Sequence, residues 1–141
     1  MMHLQLITLQ GVRFDQQIYE LIAPTADGEI AVFPGHEHLV TLAVPGAFAV
    51  RHHKGDRDTS LEYFAIGGGI IEITPKTIRV LVDEADHGED IIEAESKAAL
   101  ERAIKLRDEA TDQIELDKAR QLIDRHMVRL RVAELHRRRR S

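Results

Sequence analysis

Ile78-Arg79-Val80-Leu81-Val82 is the last of several short apolar runs in this chain, and Gly88 follows it six residues later. Before Gly88 the apolar residues alternate, which places side chains on opposite faces of a pleated strand. After Gly88 they return every three or four positions, as on one face of a helix. The sequence therefore predicts a β domain over residues 1–87 and a helical domain over residues 88–141.

Short strands separated by turn residues are predicted for the first domain. Their expected positions are His3–Leu9, Val12–Phe14, Gln17–Ala23, Glu29–Phe33, Leu39–Leu42, Gly46–His52, Leu61–Ile66, Ile70–Ile73 and Thr77–Val82. Glycine, proline and aspartate lie between them, as is typical of an antiparallel sandwich or barrel. No pattern of helical length interrupts the strands, which argues against a parallel sheet with crossover helices.

Two helices are predicted for the second domain. The first begins near Glu89 or Asp90, whose charges suit a helix N-terminus, and ends near Arg107. The second begins near Asp112, an N-cap candidate with Glu115 three residues on, as in a capping box. The expected apolar stripes are Ile92, Ala99, Ala103 and Leu106 on the first helix, and Leu116, Ala119, Ile123, Met127, Leu130 and Ala133 on the second. The short connection predicts an antiparallel hairpin, which needs a docking partner, either the β domain or another protein.

Charge is distributed unevenly along the 141 residues, which carry a formal net charge of −5. Residues 1–88 contain 12 acidic residues and 6 Lys or Arg, a net charge of −6, whereas residues 89–141 contain 12 and 13, a net charge of +1. The basic end contains Arg125, Arg129, Arg131 and the run Arg137–Arg140, and it favours an acidic protein surface, nucleic acid or anionic lipid. A solvated tail is the alternative for the run itself, and no aromatic residue lies among these arginines to stack on bases.

Composition also excludes several classes of protein. With no cysteine, the chain has no disulfide, thiolate zinc site or cysteine nucleophile. Its apolar runs fall far short of the ~20 residues that cross a bilayer. The first residues lack the basic region and apolar stretch of a signal peptide. We therefore expect a soluble protein.

Two motifs suggest ligand binding but favour structural roles. Gly67-Gly68-Gly69 precedes an apolar strand instead of the helix that a phosphate-binding loop needs, which indicates a bend or a close backbone approach. His36-Glu37-His38 and His52-His53 contain zinc-ligand types, but their spacing differs from the helical pattern of zinc proteases, so loop histidines are the favoured interpretation. No serine, threonine or acid pair has a distinctive catalytic setting, and we expect no catalytic residue, cofactor or metal.

Ordered segments along the chain carry a further inference. Asp27–His36 has a Gly-Glu, apolar, Pro-Gly-His pattern, and Leu39-Val40-Thr41 follows it. Phe64–Ile73 contains three glycines followed by Ile-Ile-Glu-Ile, and Ile78–Asp83 and Glu89–Ile91 come next. This ordered set covers nearly the whole chain and resembles the epsilon subunit of F-type, proton-translocating rotary ATP synthases.

The resemblance implies a β-sandwich of about ten strands followed by an α-helical hairpin, in agreement with the periodicity. It implies a non-catalytic subunit of the central stalk that contacts the gamma subunit and the c-ring and couples proton-driven rotation to ATP synthesis. Glu29 matches the acidic position that faces the c-ring, and His36 and Gly68 match positions at the c-ring and gamma interface. A turn carboxylate or a solvated loop histidine is the alternative for such residues. The implied location is the cytoplasmic face of the bacterial plasma membrane, with membrane association only through the complex.

The resemblance also implies that the hairpin acts as a brake. In this family the hairpin lies against the sandwich or extends along gamma, where it inhibits ATP hydrolysis. Arg125, Arg129 and Arg131 are the candidates for contact with acidic segments of the catalytic beta subunits, and the alpha subunits complete the expected set of partners.

Some members of the family bind ATP through an [IL]-D-x-x-R-A motif at the entry to the first helix. Here Ile92 replaces the aspartate and Glu95 replaces the arginine, which puts repulsion where a charge-assisted bond to phosphate would form. Arg102, Arg125 and Arg129 match basic positions on the two helices. We nevertheless expect weak or absent ATP binding.

Two alternatives remain open at the level of sequence. One is a free-standing β-sandwich adaptor whose basic hairpin binds nucleic acid or an acidic protein, and its DNA binding would fall steeply with salt. The other is a small metal-dependent enzyme that uses His36 and His38, which would require bound metal in the purified protein. The resemblance favours protein partners and no nucleic acid.

Overall fold

The computed structural model describes residues 1–139; Arg140, the last arginine of the predicted basic run, and Ser141 lie outside the described residues. Within this part, ten strands precede two helices. The strands are β1 (Met2–Thr8), β2 (Gly11–Ile18), β3 (Glu20–Thr25), β4 (Gly28–Val32), β5 (Leu39–Ala43), β6 (Gly46–Arg51), β7 (Glu62–Ile66), β8 (Gly69–Ile73), β9 (Thr77–Val82) and β10 (Ala85–His87). The helices are α1 (Glu93–Asp108) and α2 (Gln113–Arg137), and single 3-10 turns form at Asp58–Ser60 and Gly88–Asp90.

The ten strands belong to one sheet that folds over itself into a sandwich. Its strand order is β10-β7-β6-β3-β5-β8-β9-β1-β2, with β4 paired to β3 outside this path. The predicted fold class, a β-sandwich followed by a helical hairpin, is confirmed. One pairing departs from the antiparallel prediction, since β1 and β9 run parallel, with His3 opposite Thr77 and Ile7 opposite Leu81.

Alternation along the strands fills the space between the two layers. On β9, Ile78, Val80 and Val82 are buried while the residues between them are exposed. Phe48 is fully buried at the centre, and its ring meets the ring of Phe64 edge-on with the ring centroids 6.0 Å apart. Because edge-on aromatic pairs add to the area that each ring buries, this pair anchors the interior.

The glycine run lies where two backbones come close together. A Cβ atom at Gly69 would overlap the carbonyl oxygen of Leu81, and one at Gly67 would overlap the carboxylate of Asp83. Strand β8 begins at Gly69, directly after the bend. The predicted close backbone approach is therefore confirmed. The turn that contains the glycines leads into a strand, whereas a phosphate-binding loop leads into the N-terminus of a helix.

The two helices begin and end close to where the sequence places them. The predicted start of the first helix, at Glu89 or Asp90, is wrong by a few residues because the chain there forms a 3-10 turn and Ile92 is the N-cap of α1. The predicted N-cap of α2 is confirmed: Asp112 Oδ1 accepts a hydrogen bond from the amide of Glu115 at 2.8 Å. Glu115 completes the turn by accepting from the amide of Thr111 at 3.0 Å.

The apolar stripes predicted for the helices are only partly buried. Ala103 and Ala119 are buried, as small residues between closely packed helices are, and so is Ala133. The prediction is wrong for Ile92, Leu106 and Met127, which are all more than half exposed. Burial instead reaches Ser96 on α1 and Val132 on α2. The face of α2 that docks on the sandwich, and not the pattern of each helix alone, decides which residues are covered.

Candidate functional site: an exposed sheet face and a docked hairpin

An apolar row crosses the outer face of the sandwich. It consists of Ile7, Val12, Leu42, Ile70 and Leu81, which lie opposite one another in register on the five neighbouring strands β5, β8, β9, β1 and β2. All are exposed except Ile7, which is half-buried. Isolated exposed apolar residues are ordinary, but a contiguous row of this length on a sheet face marks a surface that binds another protein.

The apolar row was not among the sequence predictions, although the sequence contains a signal for it. Ile70-Ile71 and Val80-Leu81-Val82 are apolar at consecutive positions, so both faces of these strands carry apolar side chains there. Ile71, Val80 and Val82 fill the interior, which leaves Ile70 and Leu81 on the outside. A strand with one solvated face would place polar residues at those positions.

The three residues predicted at the c-ring and gamma interface lie on loops and strand ends. Glu29 is exposed near the start of β4, and Gly68 is half-buried in the turn before β8. These two turns belong to one end of the sandwich, since Thr25 pairs with both Gly28 and Ala43, and Ala43 pairs with Gly69.

His36 lies apart from Glu29, beyond the other end of β4. Its loop is tied to the β8–β9 turn by a hydrogen bond of 2.9 Å from the amide of Gly35 to the carbonyl of Pro75. The His36 ring is half-buried, and its Nδ1 lies 2.6 Å from the carbonyl oxygen of Glu37. The predicted interface residues are thus separated by the length of β4 and a turn, and they do not form one compact cluster.

Helix α2 docks on the sandwich through a small apolar contact. Val132 and Ala133 are buried against Ala65 of β7 and Ile91 of the linker. Val128, Tyr63 and Ala47 pack at the edge of this cluster. The expectation that the hairpin needs a docking partner is met by the β domain itself.

Two ion pairs flank that apolar contact. Arg125 Nη2 lies 3.1 Å from Glu84 Oε2, and Arg129 Nη1 pairs with Asp86 Oδ2. Arg13 of β2 also approaches Asp86, at 4.0 Å. Arg131, the third arginine predicted to contact a partner, is exposed. Two of the three predicted arginines are therefore engaged within the chain while the hairpin is docked.

Histidines surround the point where the sandwich joins the hairpin. Glu62 accepts hydrogen bonds from His52 and His87, each at 2.6 Å, and the amide of Glu89 donates to the other ring nitrogen of His87 at 3.0 Å. Burial alone would raise the pKa of Glu62, but the two histidine hydrogen bonds together lower it below its ordinary value. The ring of His136 on α2 packs edge-on to His87, with centroids 5.9 Å apart. This cluster fixes the linker and the C-terminal half of α2 on the sandwich.

The positions that match the family's ATP motif are spread over the two helices. Ile92, Glu95 and Arg102 are exposed on the entry and outer side of α1. Arg125 and Arg129 already have carboxylate partners. A cavity of about 670 Å³ lies beside them, between α2 and the Gly67–Gly68 turn. Its charged lining consists of three acids, Asp83, Glu84 and Asp124, and three bases, Lys118, Arg125 and Arg129. With acids and bases in equal number, the lining offers no excess of positive charge to a polyphosphate.

The loop histidines do not form a metal site with their neighbours. Within residues 1–139, no group of three or more histidine or acidic side chains is arranged to hold a metal ion. In the same range, neither helix is long and apolar enough to span a bilayer.

An exposed apolar row on a sandwich and a hairpin held by a small, partly charged contact define a class of protein: a module that binds other proteins. The family model described as "ATP synthase, Delta/Epsilon chain, beta-sandwich domain" matches residues 1–88. The ATP synthase epsilon chain of Chloroflexus aggregans is 31% identical over 134 residues, which covers 95% of this chain and 93% of that one. The epsilon chain of Laribacter hongkongensis is 31% identical over 98% of this chain and 96% of its own length. The chain belongs to the ATP synthase delta/epsilon family.

Solved structures show the same fold. A chain of the Euglena gracilis mitochondrial ATP synthase, in a structure of OSCP, F1 and the c-ring, superposes with a TM-score of 0.79 at 22% identity. The match covers 96% of this chain and 81% of that one. A chain of the Tetrahymena thermophila central stalk and c-ring gives a TM-score of 0.59 at 13% identity, over 94% of this chain and 96% of that one. The shared architecture therefore includes the hairpin as well as the sandwich.

Proposed function

We propose that this chain is a non-catalytic subunit of the central stalk that couples proton-driven rotation to ATP synthesis. The apolar row is the observation that carries the proposal. Family membership indicates that the chain belongs to an ATP synthase, and the row provides a surface on which another stalk subunit can bind. The solved relatives come from structures of F1 with the c-ring and of the central stalk with the c-ring. The chain would work at the cytoplasmic face of the bacterial plasma membrane, attached through its partners.

The gamma subunit is the proposed occupant of the apolar row. A rotating stalk needs a joint that transmits torque without slipping, and an apolar surface several strands wide provides shape complementarity together with burial of area. Glu29 and the turn at Gly68 lie at the end of the sandwich next to this row, where Leu42 and Ile70 are also found. We assign Glu29 to the polar loops of the c-ring, and Gly68 and His36 to the margin of the gamma contact.

Charged substitutions in the apolar row test this assignment. Replacing Ile70 and Leu81 with lysine puts two charges into the proposed joint, so the chain is expected to lose co-purification with gamma and the c-ring. Ile92→Lys with Ile114→Lys is the matched control, because both residues are exposed, belong to the hairpin and its entry, and lie outside the row. Retention of gamma by a folded Ile70→Lys/Leu81→Lys protein would contradict the proposed function.

We further propose that the hairpin restrains ATP hydrolysis when it leaves the sandwich. Arg125, Arg129 and Arg131 would then meet acidic segments of the beta subunits, with the alpha subunits close by. Removing residues 112–141 is expected to raise ATP hydrolysis by the assembled enzyme several-fold. A finer test replaces the three arginines with glutamine, and replacement of Lys97, Lys105 and Arg107 on α1 is the matched control. An unchanged rate in both the truncated and the triple-arginine enzyme would overturn the brake.

ATP is not expected to control this brake. Ile92 and Glu95 depart from the family motif, and Arg125 and Arg129 are paired with carboxylates. Calorimetry on the isolated subunit should detect no binding in the micromolar range. Micromolar affinity would show that the arginines exchange their partners for phosphate.

A further inference from the structure

The ion pairs at the hairpin use acids from one short segment of the sandwich. Glu84 lies between β9 and β10, and Asp86 lies on β10 itself. The side chains of Arg129 and Asp86 are 21% and 28% exposed, so both are partly withdrawn from water. Pairs in this setting are screened less than fully exposed ones.

The two arginines share the face of α2 that touches the sandwich. Arg125, Val128, Arg129 and Val132 follow the spacing of three and four residues that places side chains on one side of a helix. Val128 and Val132 enter the apolar cluster, and the guanidinium groups reach past them to Glu84 and Asp86. Docking of α2 therefore brings the valines to the apolar cluster and the arginines to the two acids at the same time.

We propose that Glu84 and Asp86 form an internal acidic latch: they hold the hairpin docked by occupying the two guanidinium groups that an acidic partner would need. The part of this proposal that concerns the released arginines rests on the proposed function, whereas the latch itself is a property of the isolated chain. While α2 is docked, Arg125 and Arg129 are paired with Glu84 and Asp86, so an acidic partner must compete with these carboxylates for the same guanidinium groups.

The strength of the latch suits a contact that must open. Burial, together with the nearby Asp86 and Asp83, raises the pKa of Glu84 although Arg125 and Arg129 oppose that shift, so pairing with Arg125 does not fully offset the desolvation of this carboxylate. The apolar cluster beside it has only four buried members, two of which are alanines. Neither component alone holds the hairpin permanently, and together they form an interface of the kind that permits domain motion.

Distance measurements by electron paramagnetic resonance on the full chain test the latch. The chain has no cysteine, so Lys54→Cys on an exposed sandwich loop and Arg120→Cys on the exposed side of α2 give one clean pair of spin labels. Glu84→Gln with Asp86→Asn is the test variant. Asp27→Asn with Glu37→Gln is the matched control, because it removes the same charge from exposed loop positions of the sandwich.

Neutralising the latch is expected to raise the ratio of undocked to docked hairpin roughly 3- to 30-fold, the range for two partly exposed ion pairs. The control variant should leave that ratio unchanged. Added salt should undock the wild-type hairpin but have little effect on the Glu84→Gln/Asp86→Asn variant. Reversing both acids to lysine should undock the hairpin, and adding Arg125→Glu with Arg129→Glu should restore docking.

Equal ratios in the test and control variants, or no restoration by the fourfold reversal, would overturn the latch. These results are independent of the brake, since no other subunit is present. If the latch variants undock the hairpin but do not change ATP hydrolysis by the assembled enzyme, the latch stands and the brake fails. If the distances do not respond while hydrolysis still depends on Arg125 and Arg129, the brake stands without an internal latch.

Discussion

The interior of the sandwich and the contact between the sandwich and the hairpin differ in the kinds of interaction that stabilise them. Nineteen buried apolar residues form one continuous cluster inside the sandwich, including Phe48 and Ile71. The contact under α2 has four buried members and is completed by ion pairs and histidines. Because burial stabilises in proportion to apolar area, we expect the first region to stay fixed and the second to separate without unfolding of the chain. Under the proposals above, one short chain combines a rigid partner-binding module with a movable arm.

Truncating a central side chain of the sandwich should produce the largest effect. Phe48 is fully buried, and Phe48→Ala is expected to lower the free energy of unfolding by about 3–5 kcal/mol, because it removes an aromatic ring and leaves a cavity. Phe33→Ala is the control, since Phe33 is 43% exposed and should cost less than about 1 kcal/mol. Urea denaturation followed by circular dichroism measures both. If both variants lost the same free energy of unfolding, Phe48 would not be a central residue of the core.

A charge under the hairpin should release α2 and spare the sandwich. Val132 is fully buried against β7, and Val132→Asp is expected to reduce the free energy of docking by about 2 kcal/mol or more, because the carboxylate has no partner there. Hydrogen exchange should then become faster throughout α2, while the protected amides of β6 and β9 keep their rates. Leu106→Asp, at a position 53% exposed on α1, should leave both sets unchanged. Faster exchange across the whole chain would show that the two regions unfold as one.

Much of the sandwich could be predicted because its signals are local. Alternation in β9 and the turn at Pro75 place strands correctly within a residue or two. Strand β10 was missed because Ala85 is the only apolar residue in its three positions. The parallel pairing of β1 with β9 could not be inferred, since periodicity shows which residues face inward and does not show which strands become neighbours.

The hairpin was harder to predict because its burial depends on where it docks. Asp112 identifies the start of α2 through a local hydrogen bond, and the structure confirms it. Met127 and Leu106 fit a helical stripe but remain exposed, whereas Val132 is covered by the sandwich. The partners of Arg125 and Arg129 lie about forty residues earlier in the chain, so sequence reasoning assigned these arginines to another protein and missed Glu84 and Asp86. The charge of these arginines predicts that acidic partners exist, but it does not show whether those partners lie in the same chain or in another protein.

Acidification should weaken the packing of the hairpin, and this change should be smaller than those expected for the substitutions above. His126 is a partly buried residue of α2 whose Nδ1 is buried and unpartnered among the described atoms. Burial, together with Arg125, Arg129 and Arg102, lowers the pKa of His126 below its ordinary value of 6.5. The packed hairpin therefore favours the neutral ring, and the stability that this provides is present above the unpacked pKa and is lost as the pH falls through it.

The pKa of Glu84 is also shifted, since burial raises it, but it starts from an ordinary value of 4.5. A titration from about pH 7.5 to 5.5 covers the range in which histidines titrate, and comparison with a His126 variant identifies the part that His126 contributes. Exchange of the α2 amides, corrected for the intrinsic effect of pH, should accelerate over this range in the wild type. His126→Gln, which keeps a polar side chain but cannot titrate, should remove most of that change. If the pH dependence survives the substitution, protonation of His126 is not its cause.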